Sequence, residues 1–123
     1  MGMLAKDDDE HAVPSELRAT FHEVAAAFAV GDYFLRDHAI RGVREVDPLT
    51  AKAIADSVTA YGDKLAPLNP STWEYAVYRW MGEYWQMLVD LTTEGEDVSD
   101  LTLHAKLHDT EPLTVEIMSV HVP

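Results

Sequence analysis

Apolar residues recur along this chain with two different periods. Up to the turn at Asn69 they recur every three or four positions, which is the spacing of one face of an α-helix. From Trp73 to Pro123 they recur at every second position, which is the spacing of one face of a β-strand. The pattern predicts an α+β domain in which helices come first and a sheet follows.

The first helix is predicted to begin at Ser15 and to end at Gly31, because both residue types are favoured at helix ends. Its apolar face consists of Leu17, Phe21, Val24, Ala25 and Phe28. Asp32 then stands where it can cap a short second helix over residues 33–40.

The next helix start is clearer. Asp47 is a good cap, and Pro48 occupies the first helical position, where its missing N–H leaves no bond unmade. Gly62 ends this helix. The helical half therefore contains two or three helices.

The second half predicts four strands in a row, joined by short connections. They cover residues 73–78, 84–91, 101–108 and 113–122. In the last strand the apolar residues change phase between Ile117 and Met118, which predicts a β-bulge there. The apolar faces of the helices need a surface to pack on. The expected architecture is two or three helices on one face of a four-stranded antiparallel meander.

Residues 1–13 are predicted to be a mobile acidic tail, because the run Asp7-Asp8-Asp9-Glu10 repels itself and cannot be buried. Residues 14–123 then form a single domain, as expected for a chain of 123 residues. The content of 47% hydrophobic residues is in the globular range.

The formal net charge of −13 argues against binding to nucleic acid and to membrane surfaces, because phosphate groups repel it. The same charge attracts basic proteins. The absence of cysteine excludes a disulfide scaffold and a thiolate metal site. No apolar run approaches the ~18 residues of a membrane span. We expect a cytoplasmic protein.

Candidate chemistry is sparse. His104 and His108 share one face of a strand but lie roughly 13 Å apart, too far to bind one metal ion. The loop from Glu94 to Asp100 lacks the ligand spacing of a calcium-binding loop. No serine stands in a nucleophile elbow, and no glycine-rich loop is present to hold phosphate. The pattern predicts no catalytic residue, metal or cofactor and favours a protein that is not an enzyme.

Several short motifs in the second half resemble those of a bacterial family described as a domain of unknown function. They are Tyr61-Gly62, Trp73, Trp85 through Val89-Asp90-Leu91, the acidic stretch 94–97, Ser99-Asp100-Leu101-Thr102-Leu103 and His121-Val122. The resemblance covers residues 47–123 and implies no activity. If the motif is shared for physical reasons, Ser99 and Asp100 cap the loop and set the start of the third strand.

These observations favour a non-enzymatic interaction protein that binds a basic partner, for example an immunity-type inhibitor of a cationic toxin. The predicted contact residues are the four acids Glu94, Glu96, Asp97 and Asp100. Electrostatic complementarity would speed such an association and make it specific.

The alternative is a small-molecule-binding protein or minor enzyme. The stretch from the first helix through Gly31-Asp32-Tyr33 resembles the opening of NTF2-like proteins, in which helices over a curved sheet enclose a pocket. That resemblance implies a pocket between the first helix and the sheet. Its predicted lining residues are Phe21, Tyr75, Trp85, Asp90 and His104. A third alternative is a homo-oligomer that uses an exposed face of the sheet.

Overall fold

A computed structural model describes residues 4–123 as two helices packed on an antiparallel sheet. The helices are α1 (Ser15–Ala29) and α2 (Pro48–Tyr61). The strands are β1 (His11–Ala12), β2 (Leu65–Ala66), β3 (Val77–Trp80), β4 (Tyr84–Asp90), β5 (Thr92–Thr93), β6 (Thr102–His108) and β7 (Thr114–His121). The predicted α+β class is confirmed.

The main sheet has five strands in the order β1-β3-β4-β6-β7, and every neighbouring pair is antiparallel. Its last four strands are the expected meander. Two strands were not expected beside it: β2 and β5 pair with each other as a second, two-stranded sheet. This small sheet ties the segment after α2 to the connection between β4 and β6.

The fifth strand of the main sheet, β1, comes from the segment predicted to be a mobile tail. His11 pairs with Tyr78 and Ala12 with Val77 on the edge of β3. Leu4 and Val13 are buried in the core. The folded unit therefore includes residues N-terminal to the predicted boundary at residue 14, and the first three residues of the predicted tail lie outside the described range.

The prediction of a short helix over residues 33–40 is wrong, because this stretch is a series of turns. Leu35 has a φ of 56°, which is left-handed and interrupts helical geometry. The carboxylate of Asp32 accepts hydrogen bonds from the backbone N–H groups of Arg36, Asp37 and His38. Asp32 thus holds a loop where a helix was expected.

The first predicted strand begins four residues later than expected. Residues Pro70–Glu74 form a short 3-10 helix, because Asn69 accepts a hydrogen bond from the N–H of Ser71 and Pro70 suits a first helical position. Trp73 is buried, but it belongs to this helical turn and not to a strand.

Other local predictions are confirmed. Asp47 caps α2 by accepting from the N–H groups of Leu49 and Thr50, and Gly62 ends the helix with a φ of 83°. The β-bulge lies where the phase of β7 changes: His104 pairs with Ser119, but the next residue, Ala105, pairs with Ile117. Met118 is the extra residue.

The helices cover one face of the main sheet. Burial alternates along β4, so that Trp85, Met87 and Val89 are buried and the residues between them are half-exposed. The same alternation continues in β6 with Leu103, Ala105 and Leu107. The opposite face is open to solvent and carries mostly polar side chains. Neither helix is long and apolar enough to cross a membrane, and this holds for the whole described chain.

We expect Leu103→Ala to lower the free energy of unfolding by about 2–5 kcal/mol, because it leaves a cavity at a fully buried position in a central strand. Leu49→Ala is the matched control. Leu49 is 80% exposed on α2, and its truncation should change stability by less than about 0.5 kcal/mol. Urea unfolding of both variants measures the difference, and equal losses would contradict the placement of this core.

Candidate functional site

The four acids predicted to contact a partner lie on the connection between β4 and β6. Glu94, Glu96, Asp97 and Asp100 are all exposed. We call residues 94–100 the acidic loop. None of these four carboxylates forms an ion pair with a base among residues 4–123. The acidic loop therefore presents uncompensated negative charge to solvent.

The base of the acidic loop is closed by Ser99, which is buried. Its hydroxyl donates to the carbonyl of Leu91 at 2.6 Å and accepts from the N–H of Leu101 at 3.2 Å. The N–H of Leu91 donates to the carbonyl of Leu101 at 2.8 Å. The predicted role holds for Ser99, because these bonds join the end of β4 to the residue before β6. Asp100, the other residue of that prediction, instead donates its backbone N–H to Tyr61.

Asp63 contacts the start of the acidic loop. Its carboxylate accepts from the N–H of Gly95 at 3.0 Å and from the N–H of Lys64 at 2.8 Å. A Cβ added at position 95 would lie 2.8 Å from the Asp63 carboxylate, so only glycine fits there without a shift. A hydrogen bond from the Thr93 side chain, together with these two N–H groups, lowers the pKa of Asp63 below its ordinary value of 3.8.

Tyr61, at the end of α2, orients the outer part of the acidic loop. Its hydroxyl donates to the carboxylate of Glu96 and accepts from the N–H of Asp100 at 3.2 Å. The hydrogen bond to Glu96 raises the pKa of Tyr61, because losing the phenol proton would place two negative charges together. The backbone and side chains of the acidic loop thus form hydrogen bonds with Tyr61 at the end of α2 and with Asp63 in the turn that follows.

Sequence reasoning did not assign Tyr61 or Asp63 to this site. Tyr61 is the last residue of the helix that Gly62 was predicted to end, and Asp63 follows that glycine. The pairing of β2 with β5 and a hydrogen bond from the N–H of Glu94 to the carbonyl of Lys64 bring this segment beside the loop. Pairing between two-residue strands leaves no periodic signal in a sequence.

The residues predicted to line a pocket lie in three different environments. Phe21 and Trp85 are buried on the helix-covered side of the sheet. Asp90 and His104 belong to the opposite face, since they fall between the buried positions of β4 and β6. Tyr75 is 61% exposed at the end of the 3-10 helix. The structure does not bring the five together.

A groove of about 750 Å³ does lie between α1 and one end of the main sheet. Trp85 is the one predicted pocket residue that lines it. Its apolar wall is formed by Leu4, Leu17, Trp85, Leu107, Leu113 and Val115. The polar lining comes from Glu16, Thr20, Arg41, Asp109 and Glu111.

The two histidines of β6 find separate partners on the open face. His104 stacks on His121 with ring centroids 4.4 Å apart, and His108 lies 2.8 Å from a carboxylate oxygen of Glu116. Desolvation, with a smaller contribution from the charge of His121, lowers the pKa of His104. No group of three or more metal-ligating side chains occurs in the part of the chain that the structure describes.

The fold and this site define a class of small α+β proteins in which helices cover one face of an antiparallel meander and an acidic loop extends from one end. Within that class, residues 25–123 match the family described as Domain of unknown function (DUF7668), and the chain belongs to this family. Membership in a family of unknown function, expected from the motifs of the second half, is confirmed, and the match begins earlier than expected. Comparisons with curated proteins and with solved structures find no match.

Protonation of the Asp63 carboxylate at low pH should break its hydrogen bond to the acidic loop. Its pKa is lowered in the folded state, so its hydrogen bonds stabilise the loop above about pH 3.8 and are lost as the pH falls through the lower folded-state value. We expect the NMR signal of the Gly95 amide to shift over that acidic range. In Asp63→Asn this titration should be absent, and a Gly95 signal that titrates identically in both proteins would contradict the contact.

Removing one hydroxyl should loosen the outer part of the acidic loop. We expect Tyr61→Phe to raise the hydrogen-exchange rate of the Asp100 amide by about 2–10-fold, because that amide loses its acceptor. Exchange at Leu91 is the internal control, since its acceptor at the base of the loop is untouched. Unchanged exchange at Asp100 would show that Tyr61 does not hold the loop.

Proposed function

We propose that this protein is a non-enzymatic interaction protein that binds a basic protein partner through the acidic loop. An immunity-type inhibitor of a cationic toxin is the concrete form of this proposal. The observation that carries it is that four exposed carboxylates, which form no ion pair with a base among residues 4–123, stand on a loop that hydrogen bonds from Tyr61, Asp63 and Ser99 attach to the fold.

Charge and preorganisation both favour binding at this surface. Exposed negative charge attracts a basic partner over about a Debye length, ~8 Å at physiological salt, and raises the association rate. A loop already held by Tyr61, Asp63 and Ser99 loses little conformational freedom when it binds. The acids are thus presented at a low entropic cost, which is the usual advantage of a preformed binding surface.

Binding of a small molecule is a second candidate function, and one observation favours it. The groove beside α1 has a volume of about 750 Å³, which is within the range of ligand sites, ~300–1,000 Å³. A ligand there would contact Leu17, Trp85 and Leu113 and not the five residues that the sequence suggested. The polar groups that line the groove are mostly acidic.

The first proposal is tested by neutralising the acidic loop in the full chain. The variant is Glu94→Gln, Glu96→Gln, Asp97→Asn and Asp100→Asn. Tagged wild-type protein should capture one stoichiometric basic partner from native lysate, less of it as salt rises and screens the charges. With the purified partner, the variant should associate at least about tenfold more slowly and show a flatter dependence on salt.

A control variant removes the same charge elsewhere. It carries Glu23→Gln, Asp37→Asn, Glu74→Gln and Glu83→Gln, four exposed acids outside the acidic loop that form no ion pair among residues 4–123. It should bind much like the wild type. Equal slowing of both variants would assign the effect to net charge and overturn the proposed role of the loop.

A further inference from the structure

The N-terminal segment places a lysine between two tryptophans and a carboxylate. The ammonium nitrogen of Lys6 lies 4.8 Å from the centroid of the Trp80 ring and 5.4 Å from that of Trp85. It also lies 2.7 Å from a carboxylate oxygen of Asp109. Two aromatic faces and one carboxylate around a cation are the components with which proteins bind ammonium groups.

The two tryptophans and the carboxylate are positioned by the sheet, independently of Lys6. Trp80 and Trp85 are directly paired across β3 and β4, and their rings are 4.8 Å apart with an angle of 57° between the planes. Asp109 follows directly after β6, the strand next to β4. All three residues thus belong to the main sheet or its immediate connection, whereas Lys6 belongs to the segment that crosses over them.

Next to Lys6, that segment is attached by two hydrogen bonds of Ala5. The carbonyl of Ala5 accepts from the indole N–H of Trp85 at 2.9 Å, and the N–H of Ala5 donates to the hydroxyl of Tyr78 at 3.0 Å. Leu4 packs on the core, but residues 6–10 are all exposed. The Lys6 side chain itself is 47% exposed, so a solvated ion pair of this kind holds the segment only weakly.

No other lysine in the described chain combines both kinds of contact. Lys52 pairs with Asp56 at 2.8 Å without an aromatic ring. Lys106 lies 4.6 Å from the centroid of Tyr84 and has no carboxylate at ion-pair distance among residues 4–123. Among the described lysines, contact with both aromatic rings and a carboxylate is therefore particular to Lys6.

We propose that Trp80, Trp85 and Asp109 form a binding site for a primary alkylammonium group, which Lys6 of the same chain fills as an internal ligand. An external ammonium group of the same chemistry, on a lysine side chain or a free amine, binds when Lys6 leaves. Trp85 and Asp109 also line the groove beside α1, which gives the alkyl part of such a ligand an apolar path along Leu4 and Leu17.

This site is independent of the acidic loop. Asp100 precedes β6 and Asp109 follows it, and a strand of seven residues spans roughly 20 Å. The ammonium site therefore goes beyond the proposed function, and either one can fail without the other.

The test is titration of the full chain with butylammonium chloride, followed by the NMR signals of the indole N–H groups of Trp80 and Trp85. In Lys6→Ala the site is empty, and both signals should shift and saturate. The wild type should bind at least about threefold more weakly, because its tethered Lys6 competes at a high effective concentration. In the double variant Lys6→Ala, Asp109→Asn, affinity should fall at least about threefold relative to Lys6→Ala, because the carboxylate is lost.

Matched controls separate this site from general charge effects. Lys52→Ala opens an exposed lysine–aspartate pair without tryptophans and should behave as the wild type. Butanol, the neutral analogue of butylammonium, should not saturate the Lys6→Ala protein. A second titration uses Nα-acetyl-lysine methylamide, which presents a lysine side chain without a free amine at its backbone. If it binds with the same affinity as butylammonium, the site accepts lysine side chains; if only butylammonium binds, the site accepts free amines.

The proposal is overturned if neither Lys6→Ala nor Lys6→Gln shows saturable binding. Lys6→Gln is the second variant, because its neutral amide removes the ammonium charge and the ion pair with Asp109 but keeps a polar side chain at this exposed position. Equal responses to butanol and butylammonium would also overturn it, since they would show an apolar contact and no recognition of charge.

Discussion

Burial of alternate side chains in β4 and β6 is the interaction on which the other features depend. These two strands lie at the centre of the sheet, and residues such as Met87, Val89 and Leu103 are completely buried beneath the helices. Each buried apolar side chain contributes about 1.5–3 kcal/mol by leaving water. Because a slip of one residue would turn all of them to the solvent, this burial also determines the register of the sheet.

A fixed register places the acidic loop and the paired tryptophans at opposite ends of the same strands. The connection that leaves β4 for β6 carries the acidic loop, and the far end of β6 leads to Asp109 beside the paired tryptophans. A peripheral segment contacts each end of these strands. Asp63, from the turn after α2, bonds to the acidic loop, and Lys6, from the N-terminal segment, pairs with Asp109. The core fixes the positions of the strand ends, and the peripheral segments contact them there.

The open face of the sheet carries a different set of groups. The stack of His104 on His121 and the pair of His108 with Glu116 lie there. They follow from the register of β6 with β7, including the bulge at Met118 that changes which side chains of β7 share a face. This face stays polar because only the other face receives the apolar stripes of the helices.

The sequence alone determined the helices with strong end signals, the four-strand meander and the bulge, because each is recorded in a local period or in a capping residue such as Asp47. It also indicated the exposed acids of the loop, since a dense run of charge is rarely buried. Only the tertiary structure decided which distant residues meet. Tyr61 with Glu96, Asp63 with Gly95 and Lys6 with Asp109 are separated by 35, 32 and 103 positions. Such contacts depend on how elements pack, and no local pattern records them.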